Sequence, residues 1–173
     1  FELVRVYALP YEAGATNTQP GVPIVLTGTT EIDESAFVSR ATVEEVYTQI
    51  LDDLTTAETL MEEDNGFFAN TFVASATLSR VYLQQENYAA ARDAANRVIE
   101  EGGYSLVSNY ADVFNNGSNT PEDIFAVQQT STFNAGTSNG GLQTFYANLP
   151  GIGRDGDIDI LQKHLDLYEQ GDE

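Results

Sequence analysis

Between residues 42 and 62 the apolar positions Val43, Val46, Tyr47, Ile50, Leu51, Leu54, Ala57, Leu60 and Met61 recur at steps of three and four. That is the period of a helix with one buried face. Thr42, with Glu45 three residues on, forms a capping box, so the pattern predicts a helix over 42–62 that starts at Thr42. The acids at 44, 45, 52, 53, 58 and 62 fall mostly on the opposite side and read as a solvated face. A second helix is predicted over 70–85, with Phe72, Ser75, Leu78, Ser79, Tyr82 and Leu83 along one side. A third fits 88–101, where Tyr88, Ala91, Ala95 and Val98 repeat at helical spacing and Gly102–Gly103 supply a stop. Only a tight turn separates these two, so they form an antiparallel αα-hairpin. Alanine at 91 and 95 facing Ser75 and Ser79 lets the backbones approach closely, and Leu78, Tyr82, Tyr88 and Val98 fill the gaps.

A Leu-Ser pair, two aromatics and two small residues at these offsets match a tetratricopeptide (TPR) unit of about 34 residues. Subtracting that period sets Leu54 under Tyr88 and Ala57 under Ala91, so helix 42–62 reads as the second helix of the preceding repeat. Its first helix is then 1–8, and residues 10–40 interrupt that hairpin as a loop holding three of the five prolines. A loop of such length within a domain is usually functional. Beyond the hairpin, "YSLVSNYADVF" reads as a short extended piece and a helical turn, "IFAVQQ" as a strand, and 130–157 as an irregular segment rich in Gly, Ser, Thr and Asn. A last helix is predicted over 158–169. The expected fold class is mainly α, with TPR-like hairpins and long irregular loops in a single domain.

Composition narrows the function. The 173 residues carry no cysteine, which excludes disulfides, zinc ribbons and thiol nucleophiles. No apolar run is long enough to span a bilayer, and the first residues lack a signal-peptide pattern. Both ends read as cut from a longer chain. Net charge is −20, from 27 acids against six Arg and one Lys, and such a surface repels phosphate backbones, so no nucleic acid partner is expected. The acids are spread along the chain. That fits a surface adapted to high salt, where screening relieves self-repulsion, and it fits an ordinary acidic protein equally well.

Sugar recognition requires flat aromatic faces for the rings and amides or carboxylates for the hydroxyls. Two loops offer these groups: Tyr11, Asn17 and Gln19 in the first, and Phe133, Asn134, Asn139, Gln143, Phe145 and Tyr146 in the second. At any one position the same aromatics are better read as pinning the loops onto the helices. No acid pair is set apart by environment as a glycosidase would require, and His164, the only histidine, has no serine in a nucleophile-elbow context, so no enzyme is expected. Asp155, Asp157 and Asp159 occupy the first, third and fifth places of a calcium loop, but Ile160 stands where glycine is needed and Asp166 where glutamate is. These acids are a weak metal candidate, and Asp157 and Asp159 instead favour the start of the last helix through its dipole. "NGS" at 116–118 reads as a turn. Arg80, Arg92 and Arg97 are spaced to pair with Asp93, Glu100 and Glu101 on their own helices.

The stretches "LVRVYALPY", "GVPIVL", "RATVEEVYTQILDDLTTAETL", "ATLSRVYLQQENYAAARDAANRVIEEGGYSLVSNYADVF" and "PEDIFAVQ", with the ending "LYEQGDE", follow one another in an order that resembles the middle of the SusD/RagB family of outer-membrane glycan-binding lipoproteins. The resemblance implies a surface-exposed protein of a Bacteroidetes-type outer membrane, lipid-anchored through an N-terminal region absent from this sequence. It also implies non-catalytic capture of a glycan or oligosaccharide, with no cofactor, and delivery to a TonB-dependent, SusC-like barrel transporter. In that family the TPR side is mainly scaffold and transporter contact, and ligand residues on loops vary between members, so none is carried over here. A reading of another class is a TPR adaptor whose concave helical groove binds a peptide or protein. The interrupting loop and the irregular last third argue against it.

Overall fold

The computed structural model describes residues 1–28, 37–113, 118–128 and 161–169. The chain divides into two compact units, Phe1–Val127 and Gln128–Glu173. Among its described residues the first holds α1 (Glu2–Tyr7), α2 (Val43–Leu60), α3 (Thr71–Gln84) and α4 (Tyr88–Glu101), followed by a 3-10 turn at Tyr110–Val113. In the second, α5 (Gln162–Leu165) is a single turn. The sequence predicts a longer helix there, of which 158–160 lie outside the described residues. Leu161 offers no capping side chain and residues 161–169 are all exposed, so neither a cap nor a buried face extends the turn. Among the described residues no strand forms, and "IFAVQQ" is irregular through 124–128. The one isolated bridge, Pro20 with Thr42, is antiparallel.

α2, α3 and α4 arise where the sequence places them because their start signals are local. Thr42 Oγ1 accepts from the Glu45 amide at 3.2 Å and the Glu45 carboxylate accepts from the Thr42 amide at 2.8 Å. The two amides that a capping box leaves free are taken by the interrupting loop: Val43 N–H donates to Gln19 O and Glu44 N–H to Asn17 O, both at 3.0 Å. All the orphan donors of this helix start are therefore satisfied. Asn70 and Asn87 cap α3 and α4 through their side chains. Glu86, at a positive φ of 58°, turns the chain between α3 and α4, and Asn87 N–H donates to Tyr82 O at 2.9 Å. After α4, Gly103 at φ 69° reverses the chain and lays Tyr104 edge-on against Phe72, ring centres 6.1 Å apart.

Packing runs α2 on α3 and α3 on α4. Val4, Val43, Val46, Tyr47 and Val81 form the core that joins α1, α2 and α3. On the α4 side the buried residues are Ala91, Ala94 and Val98. This contact line is rotated from the expected one: Ala95 is only half-buried and Tyr88 is 64% exposed. At 3.6 residues per turn the face through 91, 94 and 98 lies about a quarter turn from position 88, so Tyr88 falls outside the seam it was expected to fill.

The arginine pairing follows the local expectation at Arg92 and departs from it at Arg80 and Arg97. Arg92 pairs with its neighbour Asp93. Arg80 instead reaches Glu2 of α1 at 3.2 Å, and Arg97 reaches Glu58 of α2 at 3.1 Å through Nε and 2.5 Å through Nη2. Glu58 also accepts from the buried Ser75 hydroxyl of α3, so one carboxylate links three helices. Close packing of these small-residue faces puts the partner helix within reach of a long guanidinium.

Candidate functional site

The interrupting loop folds around Asn17. Its side chain is 1% exposed: Oδ1 accepts from the Glu12 amide at 2.8 Å and from Gln19 Nε2 at 3.1 Å, while Nδ2 donates to Glu12 O and Ala15 O, both at 3.0 Å. A positive φ of 49° at Asn17 closes the turn in the left-handed region that asparagine tolerates. The next stretch is tied down by backbone, with Gly21 N–H donating to Ala41 O at 2.7 Å and Ala41 N–H to Val22 O at 3.1 Å. A side chain on Gly21 would press within 2.9 Å of the Ala41 and Thr42 carbonyl oxygens and Val46, so only glycine fits. Arg40 completes the clasp, donating to Gly21 O at 2.6 Å, Tyr7 O at 2.8 Å and Pro20 O at 3.3 Å. The loop is thereby fixed to the end of α1 and the start of α2.

That attachment places Tyr11 against Tyr47 of α2, with ring centres 4.8 Å apart and planes tilted by 56°. Tyr47 meets Phe1 edge-on at 6.5 Å. Burial raises the Tyr47 hydroxyl above its usual range, and nearby Arg5 partly offsets this. Two concavities open beside the aromatic row and share Arg5 and Gln84. One, of about 220 Å3, runs from Leu9, Pro10 and Tyr11 to Tyr47. The other, of about 300 Å3, continues past Phe1 and Arg80 to Leu83 and Glu86. Arg5 and Arg80 both lie over the Phe1 ring, at 5.5 and 5.8 Å from its centre, and both pair with Glu2.

The groove thus presents aromatic surface, two guanidinium groups and a primary amide on a support held by helices. Such a set can stack on a ring and hydrogen-bond to its substituents. Among the described residues no group of His, Cys, Asp or Glu is arranged to hold a metal ion.

Of the residues expected to bind ligand, Tyr11 lies on the groove. Asn17 is turned inward with its whole amide committed to its own loop, and Gln19 spends its amide on Pro10 O and Asn17. Phe133, Asn134, Asn139, Gln143, Phe145 and Tyr146 lie outside the described residues, as do Asp155, Asp157 and Asp159. His164 is exposed, and its Nε2 is 3.2 Å from the Tyr168 hydroxyl. Sequence reasoning missed Arg5, Tyr47, Arg80 and Gln84 as groove residues. The scarcity of cations was the one available signal for the arginines, whereas Tyr47 looked like any member of the apolar face of α2.

Residues 1–83 match the SusD-like family described as "Starch-binding associating with outer membrane". The chain is 25% identical over 129 residues to a SusD-like protein of Formosa agariphila, an alignment covering 68% of this chain and 24% of that protein. Among solved structures it resembles a SusD superfamily protein from Bacteroides thetaiotaomicron, with a TM-score of 0.74 and 32% identity over 86% of this chain and 33% of that one. It also resembles a putative sugar binding protein from Bacteroides vulgatus, with a TM-score of 0.71 and 28% identity, covering 90% of this chain and 34% of that one. The chain therefore spans about a quarter to a third of the length of these relatives.

Proposed function

Because the chain belongs to the SusD-like family, we propose that it serves in non-catalytic capture of a glycan at the outer-membrane surface. The observation that carries this reading is the groove in which Tyr11, braced on Tyr47, stands beside Arg5 and Gln84. An aromatic face held by a clasped loop needs little reordering on binding, which favours a flat, polar ligand such as an oligosaccharide. Family membership and the family description of a starch-binding protein associating with the outer membrane support the same ligand class. No described helix is long and apolar enough to cross a membrane. In this reading a lipid anchor elsewhere in the protein holds it at the surface, and a TonB-dependent, SusC-like barrel receives the glycan. Both rest on family resemblance alone.

The test is a glycan array followed by titration calorimetry on the family-length protein and on residues 1–173. Both are expected to bind the same oligosaccharide, and Tyr11→Ala to weaken binding about fivefold, the loss of one stacking contact of about 1 kcal/mol. Retention of no glycan by either protein would sink the reading. Binding by the longer protein with no effect of Tyr11→Ala would move the ligand to another part of the family fold. Co-purification of the tagged protein with an outer-membrane barrel checks the transporter step.

A further inference from the structure

We propose that this groove selects acidic sugars, in which a ring carries a carboxylate or a sulfate ester. The inference rests on the glycan-capture reading and adds the ligand class.

Cations are scarce in this chain, with six Arg and one Lys against 27 acids, yet two of those arginines flank one groove. Arg5 and Arg80 come from different helices and converge because α1 packs at the α2–α3 core through Val4, Val43 and Val81. Glu2 holds them as a pair, its Oε2 2.8 Å from Arg5 Nη1 and its Oε1 3.2 Å from Arg80 Nη2. Counted with Glu86, two carboxylates stand beside the two guanidinium groups, so the concavity is a locally neutral patch with spare guanidinium donors in a chain that carries −20. Each guanidinium has five N–H donors, and Glu2 engages a single nitrogen of each. The remaining donors stay available on side chains that are 41% and 59% exposed. Glu86 lines the same concavity without pairing with either arginine.

A planar guanidinium fork fits a carboxylate or sulfate through two parallel bonds, a geometry that a neutral hydroxyl cannot reproduce. The side-chain entropy such a contact would cost is reduced in advance, since Glu2 and the Phe1 ring already orient both arginines. Gln84, shared by both concavities, is placed to bond a neutral hydroxyl of the same or the next ring, and Tyr11 to stack on a ring farther along. The protein as a whole carries −20, so an anionic ligand meets long-range repulsion and requires a local cationic contact to dock.

Calorimetry on the family-length protein at roughly 0.15 M salt, where exposed charges act over about 8 Å, tests the proposal with ligand pairs that share a sugar backbone and differ in whether its acidic groups are present and charged. One pair is oligogalacturonate and its fully methyl-esterified form. The other is a sulfated galactan oligosaccharide and its desulfated form. The charged member of at least one pair is expected to bind about tenfold more tightly, and the pair that shows the preference tells carboxylate from sulfate. In Arg80→Gln and Arg5→Gln that ratio is expected to fall towards one, with Arg80→Lys keeping part of it because a point charge replaces the fork. Arg80 is largely exposed, so its variants are expected to fold, which circular dichroism checks. Equal or tighter binding of the neutral members overturns the acidic-sugar inference and leaves glycan capture standing. A charge preference that survives both Gln variants overturns the assignment to this groove. Binding of none of the four ligands, nor of any glycan on the array, overturns both.

Discussion

Asn17→Ala removes the centre of the loop that carries Tyr11. Two donated bonds of 3.0 Å and two accepted bonds of 2.8 and 3.1 Å disappear together. Each is worth about 0.5–1.5 kcal/mol net. Glu12 and Ala15 are exposed, so water replaces part of what they lose. Alanine is also less tolerant than asparagine of the positive φ of 49° at this position, at about 1 kcal/mol. Together these give a cost of about 2–4 kcal/mol, concentrated in the loop. Because Asn17 O and Gln19 O accept the first amides of α2, the loss is read locally by hydrogen exchange at Val43 and Glu44. Exchange there is expected to quicken about a hundredfold, the equivalent of about 2.7 kcal/mol, while amides in the middle of α3 slow or quicken little. If the proposed glycan capture holds, affinity is expected to fall in parallel as Tyr11 loses its fixed position. Asn17→Asp keeps both accepted bonds but turns an ionised oxygen towards two carbonyls, so at neutral pH it is expected to be at least as damaging as alanine. Unchanged exchange at Val43 and Glu44 in Asn17→Ala would refute the idea that this amide organises the loop.

Three further expectations follow from the helices. A double-mutant cycle of Glu58→Ala and Arg97→Ala in urea unfolding is expected to show a coupling of about 1–2 kcal/mol, below that of a fully buried pair because Arg97 is 41% exposed; a coupling near zero would mean the three-helix link is inert. The Thr42 amide first, and then the Thr42 hydroxyl, hold the Glu45 carboxyl below its usual 4.5. A lowered folded-state value means that its contribution is fully present above that usual value and is lost as pH falls through the folded one, so Glu45→Gln is expected to flatten the acid side of the stability profile below about pH 4.5, and an unchanged profile would contradict it. With a net charge of −20, thermal unfolding is expected to shift upward in molar salt as repulsion is screened, and no gain in melting temperature would count against a high-salt adaptation.

Much of the architecture was legible because its signals are short-range. The Thr42–Glu45 capping box sits where the spacing placed it, α4 ends at Glu101 before the glycine pair, and the α3–α4 turn takes residues 85–87, one more than the predicted bounds left between the two runs. Resemblance to the SusD/RagB family rested on the order of these same elements, and the family match over 1–83 covers the first of them. The site was only partly legible. Tyr11 is visible as an aromatic in a long loop, but an asparagine six residues on looks equally suited to a sugar hydroxyl and is instead the buried strut of that loop.

Composition and periodicity alone determined that this chain is mainly helical, acidic, free of cysteine and contains the α3–α4 hairpin, because burial of one helical face depends on spacing within a few turns. Tertiary structure decided which arginine meets which carboxylate, which tyrosine is buried and which is exposed, and that Arg5 and Gln84 border two concavities, one lined by Tyr11 and Tyr47 and the other by Arg80. Those outcomes depend on how helices and a clasped loop from distant parts of the sequence come to rest against each other. A long side chain reaches whichever partner that docking brings near, and no spacing along the chain encodes it.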